Sequence, residues 1–122
     1  MKIAVSSQGK TSDSQIDTRF GRALYFMITE DDGKSWRCLD HSGIANAPQG
    51  AGVQTGQKMM DEKVSIVLTG HVGPKAFKAL SAGGIKVFTG VSGTIEQAFQ
   101  QYKDGKLAVQ AAPDVSGHWG QR

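Results

Sequence analysis

The segment VSIVL (residues 64–68) constrains the fold of this chain more than any other stretch. A short, nearly continuous apolar run of this kind is typical of a strand covered on both faces in a parallel sheet. Parallel neighbours are joined by crossover connections, most often helices. Helical patterns stand on both sides of this run, so the chain is predicted to fold as an α/β domain.

Four further segments have the composition of strands. They are residues 2–7, 23–30, 35–41 and 85–90. The turn sequence DDGK joins the second and third of them into a hairpin. Together with residues 64–68 they predict a five-stranded mixed sheet, with a parallel core and an antiparallel hairpin strand.

Three helices are predicted between and after these strands. The first covers roughly residues 51–63. The second begins at Pro74, a residue that suits the first helical turn, and it ends in a pair of glycines. The third follows Thr94, which forms a capping box with Gln97, and it stops at Gly105.

Composition and length exclude several classes of protein. Lysine and arginine exceed the acidic residues by only 14 to 11, and this excess is too small for non-specific nucleic-acid binding. No apolar run approaches the ~20 residues of a membrane span.

The single Cys38 excludes an internal disulfide and suits a reducing compartment. We expect a cytoplasmic monomer with one domain over residues 1–107 and a flexible C-terminal tail over 108–122.

The sequence Gly9-Lys10-Thr11 matches the end of a nucleotide phosphate loop, but the rest of that motif is missing. A phosphate loop needs a glycine where this chain has Ala4, followed by a helix directly after the threonine. The residues that follow are poor in helix formers, and no acidic residue ends a later strand to hold Mg²⁺. We therefore interpret residues 8–22 as a long, polar and mobile loop.

Glycine-rich turns follow several strands of the predicted sheet, where α/β proteins bind ligands. The turns read TGHVGPK, TGVSGT and PQGAGVQ, and each opens a predicted helix whose first N–H groups attract anions. Each helix start contributes roughly 0.3–1 kcal/mol, or ~2 when partly buried, whereas micromolar affinity needs about 8 kcal/mol. Arg19, Arg22 and Lys10 are therefore needed for an anion site. The alternative is that these glycines serve only the geometry of the turns.

Carboxylates are scarce at this edge of the predicted sheet. Only Asp13 and Asp17, both in the loop, lie near the strand ends. Two-metal hydrolysis requires several carboxylates around the metals. The pattern therefore favours a binding protein over an enzyme.

Four motifs occur in an order and spacing that resemble the dinitrogenase iron-molybdenum cofactor biosynthesis family. The motifs are R-F-G-R, G-A-G, G-x-x-G-P-x-A-F and G-x-S-G-T, and the similarity extends over residues 1–107. The family comprises nitrogenase accessory proteins akin to NifX and the C-terminal part of NifB. The resemblance implies a ribonuclease H-like fold, a five-stranded mixed sheet with helices on both faces. It also implies a non-catalytic carrier or scaffold for an anionic metal–sulfur cluster.

The resemblance implies a binding site for that cluster. Matching positions are Arg19, Phe20, Gly21, Arg22, Gly50, Gly52, Gly70, His71, Gly73, Pro74, Gly90, Ser92, Gly93 and Thr94. Many members have Asn in place of His71. The ending PDVSGHWGQR is similar to that of longer members of the family. Among these longer members is a protein that carries a molybdenum–copper sulfide cluster. The implied cargo is a non-covalently bound cluster of molybdenum with iron or copper.

A few side chains are candidates for direct metal ligation, each with a simpler alternative. His71 is a ligand, a hydrogen-bond donor or a solvated loop residue, and His118 either closes over the site from the tail or has no role there. Cys38 is a packing residue or a thiolate ligand. His41 is expected at the surface. One cysteine cannot hold a conventional iron–sulfur cluster within a monomer, but a cluster fully ligated by sulfide needs only neutralisation and N–H···S contacts.

The leading hypothesis is a carrier for an anionic molybdenum–sulfur cluster that exchanges its cargo with a cofactor-biosynthesis protein or a partner ATPase. A second hypothesis is a regulatory module that binds an acidic loop of another protein, or no ligand at all. The third is an enzyme acting on a small phosphorylated substrate.

Overall fold

The computed structural model describes residues 1–30 and 33–110 of the chain as a mixed α/β domain. The strands are β1 Ile3–Ser7, β2 Tyr25–Thr29, β3 Arg37–Asp40, β4 Ile66–Leu68, β5 Lys86–Thr89 and β6 Ala108–Val109. The helices are α1 Ser42–Ala45, α2 Ala51–Asp61, α3 Pro74–Ala82 and α4 Ile95–Lys103, with a 3₁₀ turn over Phe20–Arg22. None of the described helices is long and apolar enough to cross a bilayer.

The sheet has the strand order β3-β2-β1-β4-β5-β6. β1, β4 and β5 run parallel, whereas β2, β3 and β6 are each antiparallel to their neighbours. The mixed sheet with a parallel core is as predicted, but the strand count of five is wrong. The sixth strand, Ala108–Val109, lies within the segment predicted to be a flexible tail. It pairs with β5, and the Gln110 N–H donates to the carbonyl of Val87 over 2.7 Å.

Helices cover both faces of the sheet. On one face α2 and α3 enclose a core that contains Phe20, Phe26, Ile28, Met59, Val67, Val72, Leu80 and Val87. On the other face α4 encloses Ile3, Val5, Ile16, Met27, Ile66, Leu68, Ile95 and Phe99. β4 contributes Val67 to the first core and both Ile66 and Leu68 to the second, which confirms the strand buried on both faces.

The first core depends on a close approach between α2 and α3. Gly52 and Gly56 lie one helical turn apart on α2 and face α3. A Cβ atom built on Gly52 would lie 3.2 Å from the Cβ of Ala76, and one on Gly56 would lie 3.3 Å from the Cβ of Ala79. This small-residue contact holds the N-termini of the two helices side by side.

His41 is buried, with 2% of its surface exposed, so the surface position expected for it is wrong. Its Nδ1 donates to the carbonyl of Ala23 over 2.7 Å, and its Nε2 lies 2.9 Å from Oγ1 of Thr55 on α2. Its ring also packs edge-on against Phe26. The chain turns directly after β3 into the short helix α1, and this turn brings His41 beneath α2.

Burial lowers the pKa of His41 below the ordinary value of 6.5, outweighing its hydrogen bond to Ala23. The unfolded chain therefore binds a proton more readily than the folded protein, and stability falls as the pH drops below about 6.5. We predict that the free energy of unfolding in urea declines more steeply with acidification in the wild type than in His41→Gln. Parallel pH profiles for the two proteins would contradict this assignment.

Candidate functional site

A cavity lies where the 3₁₀ turn meets the N-termini of α2 and α3. Its volume is about 680 Å³. Its lining residues are Arg19, Phe20, Gly21, Arg22, Gln49, Gly50, Ala51, Gly52, Val53, His71, Gly73, Pro74, Lys75 and Ala76. Nine of the sequence-predicted site residues are among them. They are Arg19, Phe20, Gly21, Arg22, Gly50, Gly52, His71, Gly73 and Pro74.

Both helix starts at this cavity lack a side-chain cap within the described residues. α2 begins after Gly50, which adopts a left-handed conformation with φ 76°, and α3 begins after Gly73. Neither helix has an acidic residue in its first turn. The first N–H groups of a helix carry a partial positive charge, so both helix ends favour an anion in the cavity.

The charged side chains around the cavity are basic. Arg19, Arg22 and Lys75 line it together with His71, and no aspartate or glutamate is among its described lining residues. Lys75 was not anticipated from the sequence. Its place in the first turn of α3, two residues after Gly73, is the signal that would have identified it.

Arg19 is fixed by a carboxylate that faces away from solvent. The Asp17 side chain is 5% exposed and the Arg19 side chain 61% exposed. Nε and Nη2 of Arg19 donate to Oδ1 and Oδ2 of Asp17, each over 3.1 Å, and the Arg19 backbone N–H donates to Oδ1 over 2.9 Å. The hydrogen bonds and charge of Asp17 raise the pKa of Arg19. Asp17 therefore fixes the orientation of the Arg19 guanidinium, and Arg19 lines the cavity.

Arg22 is held by main-chain carbonyls. Its Nη1 donates to the carbonyl of Ala45 over 2.9 Å and to that of Ala47 over 2.7 Å, at the C-terminal end of α1. Among the described residues it forms no ion pair with a carboxylate. Arg22 therefore lines the cavity without a described carboxylate to neutralise it.

The loop that carries both arginines is joined to the turn after β4. The His71 N–H donates to the Thr18 carbonyl over 3.0 Å, and the Phe20 N–H donates to the His71 carbonyl. A Cβ atom on Gly70 would lie 2.5 Å from the Cβ of Thr18, so only glycine allows this contact. These hydrogen bonds anchor the loop of residues 8–22, which was predicted to be mobile.

No comparable steric contact requires glycine at position 73. A Cβ atom there would meet nothing within 4 Å, and the backbone φ is –70°. Any residue can adopt this conformation. A glycine that the fold does not require, at the mouth of a cavity and the start of a helix, allows a ligand to approach the backbone closely.

The third glycine-rich turn does not reach this cavity. Ser92, Gly93 and Thr94 lie against the loop of residues 8–22, and α4 uses its first N–H groups within the protein. Ile95 donates to the carbonyl of Ser14 over 2.9 Å and Glu96 to that of Ser12 over 3.0 Å. The predicted capping box between Thr94 and Gln97 is present and occupies two more donors.

The remaining predicted residues lie elsewhere. Gly70 supports the site from behind through its contact with Thr18, and the Nζ of Lys10 lies 5.6 Å from the ring centre of Tyr25. Cys38 is exposed on β3, so its interpretation as a packing residue is wrong. Burial of part of its surface raises the pKa of the Cys38 thiol. His118 lies outside the described residues.

The described residues offer no preformed metal site. No group of three or more His, Cys, Asp or Glu side chains among them could hold a metal ion. His71 and Cys38, two of the three metal-ligand candidates, are not brought together.

Comparisons with known proteins converge on one family. A family model described as dinitrogenase iron-molybdenum cofactor matches residues 1–105. The structure of the apo form of the orange protein from Desulfovibrio gigas is 36% identical, with a TM-score of 0.88 over 93% of this chain and 96% of that one.

Two further proteins match most of this chain at lower identity. The structure of a NifB-like protein from Thermotoga is 29% identical, with a TM-score of 0.81 over 95% of this chain and 98% of that one. An uncharacterized protein of Methanocaldococcus jannaschii is 24% identical over 110 residues, which cover 88% of this chain and 89% of that protein.

The two glycines at the turn after β4 are predicted to respond differently to a methyl group. Gly70→Ala forces an atom onto the Thr18 backbone and should lower the free energy of unfolding by about 1–3 kcal/mol. Gly73→Ala meets no atom and should cost less than about 1 kcal/mol, the typical effect of a helix cap. Urea unfolding of both variants measures the difference, and equal losses would show that the Thr18 contact is not tight.

Proposed function

Since the chain belongs to the dinitrogenase iron-molybdenum cofactor family, we propose that it is a non-catalytic carrier of an anionic molybdenum–sulfur cluster. The cargo contains molybdenum with iron or copper and lies in the cavity at the N-termini of α2 and α3. The observation that carries the proposal is the composition of this cavity: among its described lining residues, basic side chains and two helix starts are present without a carboxylate.

The donor set suits a cluster that is already saturated with sulfide. Such a cluster exposes sulfur atoms that accept hydrogen bonds from N–H groups, and it needs no thiolate from the protein. Guanidinium groups supply planar, charge-assisted donors. Arg19 is held in position by Asp17, so little side-chain entropy is lost when a ligand binds.

The magnitudes assign a central role to the arginines. Two helix starts contribute about 0.6–4 kcal/mol to an anion, and micromolar affinity needs about 8 kcal/mol. The first N–H groups of α4 are occupied by loop carbonyls, which removes a third helix start from the sum. Arg19, Arg22 and Lys75 must therefore supply the larger part of the binding free energy.

Several finer expectations belong to the same proposal. The carrier acts as a cytoplasmic monomer and exchanges its cargo with a cofactor-biosynthesis protein or a partner ATPase. The first five strands, in the order β3-β2-β1-β4-β5, support a ribonuclease H-like arrangement. Catalysis is not part of the proposed role, because the described lining residues of the cavity include no carboxylate pair for acid–base or two-metal chemistry.

Reconstitution with a coloured precursor tests the proposal. Apo-protein is mixed with tetrathiomolybdate and a copper or iron salt, desalted, and analysed by visible spectroscopy and metal content. We predict that the wild type retains the chromophore and that Arg19→Gln/Arg22→Gln retains it at least about tenfold more weakly, because two charge-assisted donors are lost. Arg37→Gln/Lys106→Gln removes the same charge outside the cavity and should behave as the wild type.

A steric variant sharpens this experiment. Gly73→Ala should fold normally and retain less chromophore, because its methyl group occupies the approach to the first turn of α3. Gly43→Ala is the matched control, since a Cβ atom there also meets nothing within 4 Å and the residue lies outside the cavity. Equal retention by the wild type and the double glutamine variant would refute the carrier proposal.

A further inference from the structure

A second concave surface lies on the outer side of α3, next to the cavity. It has a volume of about 410 Å³ and is lined by Pro74, Lys75, Phe77, Lys78 and Ser81. We call these five residues the α3 groove. Its surface is almost entirely apolar, and Phe77 is half-buried, packing against the core beneath it. A small apolar concavity of this kind has room for one apolar side chain of a binding partner.

The charge of the α3 groove has one sign. Lys75 and Lys78 are exposed one helical turn apart on the same side of Phe77, and neither forms an ion pair with a carboxylate among the described residues. α3 itself, with the sequence PKAFKALSA, contains no acidic residue. An apolar surface bordered by two lysines is complementary to an apolar side chain with carboxylates beside it.

The α3 groove is continuous with the mouth of the cavity. Pro74 and Lys75 line both concavities. Val53, on the adjacent end of α2, is 44% exposed and extends the apolar rim on the other side of the cavity. A protein bound in the groove would therefore stand directly beside the entrance of the cavity.

We propose that the α3 groove docks a partner protein through an acidic, amphipathic helix, with an apolar side chain seated on Phe77 and carboxylates paired with Lys75 and Lys78. A helix that lies in a surface groove in this way is a common recognition mode. A second copy of this chain fits less well, because a two-fold interface would place these lysines against each other. The role of the docked partner, exchange of the cluster, rests on the proposed function, whereas the docking itself does not.

A labelled peptide tests the docking surface. The probe is a fluorescein-labelled amphipathic helical peptide of leucine, phenylalanine and glutamate, and its control has lysine in place of glutamate. Fluorescence anisotropy at low salt should show that Lys78→Glu weakens binding of the acidic peptide about threefold to tenfold. Ser81→Lys, which adds a cation one turn further along α3, should tighten it by a similar factor. Lys106→Glu makes the same charge change at an exposed site outside the groove and should leave the affinity unchanged.

Three outcomes would overturn the proposal. They are the absence of binding, equal effects of Lys78→Glu and Lys106→Glu, and self-association in sedimentation experiments that Lys78→Glu abolishes, which would identify a second copy as the occupant. Lys78 and Ser81 do not line the cavity, so chromophore retention is a separate readout. Peptide binding without chromophore retention would refute the carrier role and leave the docking proposal intact. Chromophore retention without peptide binding would refute the docking proposal and leave the carrier role intact.

Discussion

The contact between the Thr18 backbone and the turn at Gly70 and His71 is the constraint on which the rest of the site depends. It joins the loop after β1 to the turn after β4, two segments far apart in sequence. The hydrogen bond from His71 to Thr18 places the next residues, Arg19 to Arg22, against the starts of α2 and α3. Together with the hydrogen bonds from Arg22 to the Ala45 and Ala47 carbonyls, this contact fixes the two arginines relative to the helix N-termini.

The electrostatic character of the cavity follows from where the acidic groups lie. Asp17 is buried behind Arg19 and orients it, but it does not line the cavity. The carbonyls of Ala45 and Ala47 orient Arg22 without adding a negative charge. A multiply charged anion thus meets oriented donors and no repelling carboxylate among the described lining residues.

Much of this architecture was predictable from local sequence patterns. The apolar run at residues 64–68 identified the central parallel strand, and the Thr94–Gln97 pair identified the start of α4. Most of the cavity-lining positions follow from the motifs R-F-G-R, G-A-G and G-x-x-G-P. These features are local, or they are fixed by the rule that parallel strands present their carboxyl ends at one edge.

What sequence reasoning missed depends on contacts between distant segments. A two-residue strand such as β6 has no periodicity to detect, because its pairing comes entirely from β5. The burial of His41 results from the turn into α1 beneath α2. The carbonyls of Ser12 and Ser14 accept hydrogen bonds from the first N–H groups of α4. The sequence of the helix itself does not indicate these hydrogen bonds. The fold was therefore easier to predict than the binding site, because the sequence does not show which of the three similar turns remain open to a ligand.

A titration of ¹⁵N-labelled protein with tetrathiomolybdate, followed by amide and arginine Nε resonances, tests most directly whether this cavity binds an anion. We predict that the largest shifts occur at Gly52 and Lys75 in the first turns of α2 and α3, and at the side chains of Arg19 and Arg22. The amides of Ser92 to Thr94 should hardly change. The largest shifts at that third turn, or none in the first turns of α2 and α3, would show that the anion does not bind in this cavity.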